Sequence, residues 1–397
     1  MHERHTIRLG DAIDIKHGHA FKGEFFSDAG PGPILVTPGN FAIGGGFQRG
    51  KDKYYTGLVP DGYTLNPGDL VVTMTDLSKA GDTLGYPALV PGDAHYLHNQ
   101  RIGLVRVVRR DLLDTCYLSY ALRTRPYRDY ILAGATGSTV RHTSPSRIYE
   151  YRIAVPSVSE QRAIASVLKA FDDKIAVNEL IALKADELIR ARYLDLCIST
   201  GKSIPLSELG DQRRETVPVD NFGPDENYIG LEHMPRRRMW LSGWTDASGV
   251  ASAKGRFEKG DVLFGKLRPY FHKVGLAFVG GIASTDIIVI RPRTEEARGW
   301  LLAAASSDEV VGHASAIADG TRMPRAKWQD IAKCNVPWPG QAAASEFNEV
   351  VEMLAKRVRA AVFENQALYE LRDTLLPALM SGRVRVRDAG KVAEDAT

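Results

Sequence analysis

Apolar residues recur at helical spacing in two long stretches of this chain, and the two stretches run in phase. EQRAIASVLKAFDDKIAVNELIALKADELIRARYLDL begins at Glu160, and ASEFNEVVEMLAKRVRAAVFENQALYELRDTLLPAL begins at Ala344. At a constant offset of 183, Ile164, Leu168, Phe171 and Ile175 fall on Phe347, Val351, Leu354 and Val358, which is the 4-3-4 spacing of a helix-packing seam. Each stretch follows a Val-Pro pair, Val155-Pro156 and Val336-Pro337, and predicts one long helix. A helix with one apolar stripe needs a partner, and the nearest candidate is its own copy. The middle of the first helix, around Asn178, reads as exposed.

The segments before the helices alternate in the shorter period of strands, and they also correspond. Pro67-Gly68-Asp69-Leu70-Val71-Val72 answers to Lys259-Gly260-Asp261-Val262-Leu263-Phe264, a Gly-Asp turn leading into a strand in both copies. Arg101–Val107 answers to Asp286–Arg291. The offset is 192 at the first pair, about 185 at the second and 181 at the Val-Pro pairs, so loop lengths differ while the order of elements is kept. The pattern predicts an α+β chain with an internal two-fold repeat: strand-rich domains over 1–155 and 201–337, long helices over 156–200 and 338–384, and a disordered tail over 385–397.

Composition narrows the function classes. The chain has 397 residues, of which 44% are hydrophobic and 25% charged, enough apolar material for two to four domains. No apolar run has the length of a membrane span, and MHERHTIRLGD at the N-terminus has no signal-peptide stretch, so the expected location is cytoplasmic and no membrane partner is expected. Cys116, Cys197 and Cys334 are scattered, without zinc-ligand spacing, and no metal site is expected. A net charge of +3 does not by itself imply nucleic acid. Its distribution says more, because acids concentrate in the helices while the strand-rich segments hold basic and aromatic clusters. Arg49, Lys51, Lys53, Tyr54 and Tyr55 form one such cluster, and Arg236, Arg237, Arg238 and Trp240 another. Loops of this kind suit phosphate contact and base reading, although any single member could equally belong to a solvated face.

Enzyme signatures are missing. Gly201-Lys202-Ser203 could close a phosphate-binding loop, but Leu196 stands where the first glycine is needed. Asp172-Asp173-Lys174 resembles half of a nuclease site yet lies in mid-helix, where a solvated face is expected. Neither a cofactor-binding glycine turn nor the Pro-Pro-aromatic loop of a base-flipping methyltransferase occurs, nor a G-x-S-x-G nucleophile elbow. No catalytic residue is nominated.

MTDLSKAGDTLGYPALVP from Met74, YLHNQRIGLV from Tyr96 and EQRAIASVLKAFDDKI from Glu160 together resemble the specificity subunit of type I restriction-modification enzymes. GKLRPYFHKVGLA from Gly265, GIASTDIIVIRP from Gly281 and LRDTLLPALMSGRVRV from Leu371 carry the same resemblance in the second half, and it covers about Ile7 to Val386. The Glu-Gln-Arg opening of the first helix has no counterpart in the second, where Gly340-Gln341-Ala342-Ala343 stands.

The resemblance implies two target-recognition domains, each reading half of a split target on double-stranded DNA, alternating with two helices packed as an antiparallel coiled coil. It implies no catalysis in this chain. Two modification subunits, carrying the methyltransferase and its S-adenosylmethionine, and usually two restriction subunits, using ATP and magnesium, assemble on such a protein. The helices then serve as docking elements, for which Glu160, Gln161, Arg162, Ile164, Leu168, Phe171 and Ile175 are candidates, with Phe347, Val351, Leu354 and Val358 in the second copy. From Glu160 to Leu196 a straight helix would span roughly 55 Å, enough to hold two readers about one turn of DNA apart. Because the two domains differ in sequence, the half-sites should differ, giving an asymmetric target. Candidate DNA contacts are Lys79, Asn99, Gln100, Arg101, Arg141 and His142 in the first domain, and Lys266, Arg268, Tyr270, His272 and Arg322 in the second. Asn99 and Gln100 could equally cap a turn, and Arg268 could form a salt bridge. Open alternatives are a system without the usual restriction subunit, a coiled-coil scaffold whose flanking domains bind protein, and an enzyme with an unrecognised site.

Overall fold

The computed structural model describes residues 4–49, 52–320 and 322–388. Lys51 and the greater part of the 385–397 tail lie outside them, while residues Val386–Asp388 form a helical turn. The two expected helices run over Val158–Ser199 and Gln341–Ser381. Compactness divides the chain differently from its sequence pattern: one unit is Met1–Asp173 with Ala367–Thr397, the other Lys174–Gln366. Each unit therefore combines one strand-rich globule with part of both helices.

The units share a plan. In the first, a four-stranded sheet has the order Ile13–His17, Ile102–Val107, Leu70–Thr73, Pro87–Leu89; in the second, Gly210–Arg213, Ile287–Pro292, Val262–Gly265, Val274–Leu276 takes the same order. The Leu70–Thr73 and Val262–Gly265 strands are almost wholly apolar because every residue in them is buried. A five-stranded sheet lies beside each. Tyr54–Tyr55, Ile34–Leu35, Tyr96–Leu97 and Thr64–Leu65 keep the order of Thr245–Asp246, Asn227–Ile229, Gly281–Ala283 and Lys254–Phe257, with the parallel pair at the same place. The fifth strand changes edge. Phe26–Ser27 pairs with Tyr54–Tyr55, whereas Thr216–Val217 pairs with Lys254–Phe257.

In the second unit the helices run antiparallel. Asn365 Nδ2 donates to Ile175 O at 3.4 Å, Asn178 Nδ2 to Glu364 Oε2 at 2.7 Å, and the rings of Tyr193 and Phe347 lie 6.5 Å apart. Along this series one helix number rises as the other falls. The seam has a third partner besides its copy: Trp300 of the globule lies 4.7 Å from Tyr193 and 5.2 Å from Phe347, and Gly299 N donates to the buried Asn348 Oδ1 at 2.8 Å. The first unit ties its helix to its globule in a similar way, with Gln161 Oε1 accepting from Asp114 N at 2.9 Å and Gln161 Nε2 donating to Leu112 O at 2.8 Å. Arg4 donates to the carbonyls of Leu379 and Met380, satisfying the last turn of the second long helix.

Three expectations need correction. Ile164, Leu168, Phe171, Ile175, Phe347, Val351 and Val358 are all buried, as is Gln161. These side chains fill the chain's own cores and are not free to meet another subunit; of the nominated docking residues, Arg162 is exposed, while Glu160 and Leu354 are half-buried. Asn178 is not exposed but 1% accessible, because Glu364 and Asn365 of the second helix close over it. Asp172 does not lie on a solvated face. Its carboxylate accepts from Tyr120 Oη, Arg123 Nη1 and Arg372 Nη1, each at 2.9 Å. Burial opposes its charge, but the two guanidinium groups outweigh that effect and hold its carboxyl below the ordinary carboxylate value.

Candidate nucleic-acid interface

The candidates of the first unit gather where the Leu70–Thr73 strand runs out. Met74 N donates to Arg101 O at 2.9 Å, and Met74 O accepts from Thr143 N at 3.0 Å. Thr75–Asp76 then pairs antiparallel with Arg141–His142, and Thr75 Oγ1 lies 3.2 Å from His142 Nδ1. Asp76, 5% exposed, accepts from Ser78 N at 2.6 Å and from Thr83 Oγ1 at 2.7 Å. Burial opposes the charge of Asp76, and the bonds from Ser78 and Thr83 more than offset it, so its carboxyl is held low. The carboxylate thus folds the loop between those residues into a fixed shape that presents the exposed Lys79. Asn99 and Gln100 form the turn into the Ile102–Val107 strand, where Ile102 N donates to Asn99 O at 3.0 Å and Gln100 N to His19 O at 2.9 Å. This turn delivers Arg101 to the same edge. Lys79, Arg101, Arg141 and His142 are therefore neighbours, with Asn99 and Gln100 on the adjoining turn.

The second unit repeats the main bonds of this frame. Lys266 N donates to Asp286 O at 2.9 Å, Ala326 N donates to Lys266 O at 3.0 Å, and Ile287 N donates to Ser284 O at 2.9 Å. Thr136 and His142 exchange two backbone bonds, and so do Asp319 and Arg325. The turn that follows Thr136 needs a glycine, since Gly137 has φ of +87° and a Cβ there would sit 2.0 Å from Val140 O. Gly320, at φ +103°, takes the equivalent place. Side chains on this common frame differ: Arg101 and His142 of the first unit are replaced by Asp286 and Arg325, which pair at 2.9 Å.

Beyond Lys266 the second unit has its own device. Arg268 at φ +51° and His272 at φ +53° flank the turn Pro269–Phe271, and both lie in the left-handed region that side chains disfavour. Each such residue costs on the order of 1–3 kcal/mol, which the surrounding bonds must offset. Arg268 N donates to Pro324 O at 2.8 Å and Arg268 Nη2 to Arg322 O at 3.4 Å, which binds this turn to the returning segment. The result is a rigid projection with Tyr270 at its tip, 56% exposed, and Arg236 stacked 4.1 Å over the Phe271 ring. Lys266, Arg268, Tyr270 and Arg322 thus come together. His272 does not join them: it is 2% exposed, its Nε2 lies 2.8 Å from Ser306 O, and burial pushes its pKa down. It anchors the projection and cannot touch DNA. Arg325 and Lys327 also lie on this edge, and the offset of 183 from His142 identifies Arg325. Gln212 and Arg214, at the end of the edge strand, carried no motif.

Residues 1–185 match the family model described as the type I restriction modification DNA specificity domain. The chain is 32% identical over 296 residues to the type I restriction enzyme EcoDI specificity subunit of Escherichia coli, a match covering 62% of this chain and 64% of that one. It is 28% identical over 162 residues to the EcoBI specificity subunit of the same organism, covering 41% and 31%. The matched stretches thus span less than two thirds of either relative. The crystal structure of a type I restriction-modification system S subunit from M. genitalium has the same fold, with a TM-score of 0.60 at 17% identity, over 95% of this chain and 96% of that one. No helix among the described residues is long and apolar enough to cross a membrane. The likeness to the type I restriction modification DNA specificity domain thus lies in residues 1–185, and the 296-residue similarity to a type I specificity subunit extends beyond that domain.

Proposed function

We propose that this chain is the non-catalytic specificity subunit of a type I restriction-modification complex, reading two different half-sites on double-stranded DNA and positioning methyltransferase subunits there. The observation that carries this reading is the duplicated edge: one hydrogen-bonded frame, built twice, presents Lys79, Arg101 and Arg141 in one unit and Lys266, Arg268 and Arg322 in the other. Equal frames with unequal side chains suit a split target whose halves differ. Cationic side chains on such loops supply the phosphate contacts that position a reader, and their amide and guanidinium donors can address base edges. In this reading S-adenosylmethionine is bound by the modification subunits, and ATP and magnesium by restriction subunits where these are present. Neither cofactor has a place in this chain's own role.

The test is a domain exchange. Replacing residues 1–155 by the corresponding domain of a relative and expressing the hybrid with the modification subunit should change one half of the methylated motif and leave the other intact. If both halves change together, the two-reader assignment is wrong. Calorimetry on the purified chain should give no stoichiometric S-adenosylmethionine binding.

A further inference from the structure

A cleft of about 240 Å³ opens beside the second unit's edge, lined by Gln212, Arg214, Lys266, Lys327, Trp328 and Gln329 over the buried floor residue Ile288. It is continuous with the candidate interface, since the backbone of Lys266 belongs to the frame that Asp286 and Ala326 complete. Its polar wall is rich in donors. Arg214 Nε donates to Gln212 Oε1 at 3.1 Å, which holds the Gln212 amide by its oxygen, and Lys266 lines the same cleft.

The same place in the first unit has different chemistry. Ile290, the partner of Gln212 in the sheet, corresponds to Val105, whose partner is Ile15. One register on, Arg213 corresponds to Lys16 and Arg214 to His17. The frame matches Lys266 with Met74, and the offset of 183 matches Lys327, Trp328 and Gln329 with Ser144, Pro145 and Ser146. The backbone is duplicated while the lysines and glutamines of this wall are found on one side alone. A feature serving the fold would be expected in both copies; one serving discrimination between half-sites would not.

We propose that this cleft reads a guanine in the half-site of the second domain. The major-groove edge of guanine offers two adjacent acceptors, O6 and N7, which suit the Lys266 ammonium and the Gln212 amide nitrogen. Gln212 and Lys266 donate to that edge. Arg214 is a positioning residue that fixes the Gln212 amide, and Trp328 forms the apolar side of the cleft. The proposal rests on the DNA-reading function above.

The full chain is expressed with its modification subunit in a host free of other methylation, and the methylated motif is mapped for wild type, Gln212→Ala, Lys266→Met and Gln212→Glu. The expected result is a G·C preference lost at one position of the second half-site, by roughly tenfold or more. Gln212→Glu, which replaces a donor with an acceptor, should move that preference toward C·G. The first half-site should be unaffected, which also reports that the variants fold. Purified full-length chain titrated with duplexes changed one base pair at a time gives the same readout for any variant that supports no methylation. If Gln212→Ala and Lys266→Met both keep the wild-type motif with its preference, the cleft does not read a base. A wild-type chain that directs no split motif would instead overturn the functional reading, and this inference with it.

Discussion

Asn178 Nδ2 donates to Asn365 Oδ1 at 2.9 Å, a polar contact between the two long helices made by a side chain only 1% accessible. Asn178 also donates to Glu364 Oε2, and Asn365 donates to Ile175 O. A polar contact of this kind favours one register, because a slip would leave the buried Asn178 amide without the two acceptors it now has.

Asn178→Ala therefore removes two hydrogen bonds and leaves a gap where a buried side chain stood. The expected cost is about 1–3 kcal/mol, read as a lower urea midpoint of the purified chain. An unchanged midpoint would mean that water replaces the amide at no cost.

Acid should act on the first unit through Asp172. Its carboxyl, held low by Arg123 and Arg372 after burial has opposed its charge, has a folded value below its unfolded one. The stability it contributes is thus present above the unfolded value of about 3.9 and is lost as pH falls through the folded one. Asp172→Asn should cost about 2 kcal/mol at pH 7, a figure reduced from that of a fully buried pair because the site is partly open to solvent. The variant should also lose less than wild type between pH 5 and pH 3, so that the two thermal melting curves converge in acid. Parallel loss in both proteins would place the acid sensitivity elsewhere.

DNA affinity should separate the exposed candidates from the buried one. Lys79→Ala and Arg322→Ala should each weaken binding across sequences and reduce the slope of log affinity against log salt by about 0.9, the signature of one lost phosphate contact. His272→Ala should leave that slope unchanged while lowering stability, since its ring is spent on Ser306 inside the fold. A salt slope that fell with His272→Ala would mean that this side chain does reach the DNA.

These residues also mark what could be seen in the sequence. The repeat was legible because a helix keeps its period over dozens of residues, so one offset aligned Ile164–Ile175 with Phe347–Val358. Within the globules the offset drifts from 192 at Lys266 to 183 at Arg325, and the shared frame emerges only when both values are used together. Thr216–Val217 has two residues and no period, so its change of sheet edge left no trace. Asn178 read as exposed because polarity in a helix normally means solvent; its burial depends on Glu364 and Asn365, far along the chain. His272 shared a basic motif with Arg268 and Lys273, and only the distant Ser306 carbonyl reveals that it faces inward.

The helices can be tested as a ruler, in a form that the buried seam dictates. Four residues inserted after Asn178 add about 6 Å of rise and a rotation of roughly 40° beyond a full turn. Ala185, Ile189 and Tyr193 beyond the insertion are buried, as are Ile164, Leu168 and Phe171 before it, so both sets cannot keep their places on a helix turned by that angle. A single insertion should therefore lower the melting temperature and abolish site-specific methylation. Inserting four residues in the second helix as well, after Asn365, lengthens both partners at the point where they meet and should restore stability. On the reading that the helices set the distance between half-sites, the doubly lengthened chain should methylate the same two half-sites with at most about two more base pairs between them, at ~3.4 Å per pair. A stable double variant that keeps the original spacing would leave the helices a structural role alone, and a single insertion as stable as wild type would contradict the burial argument itself.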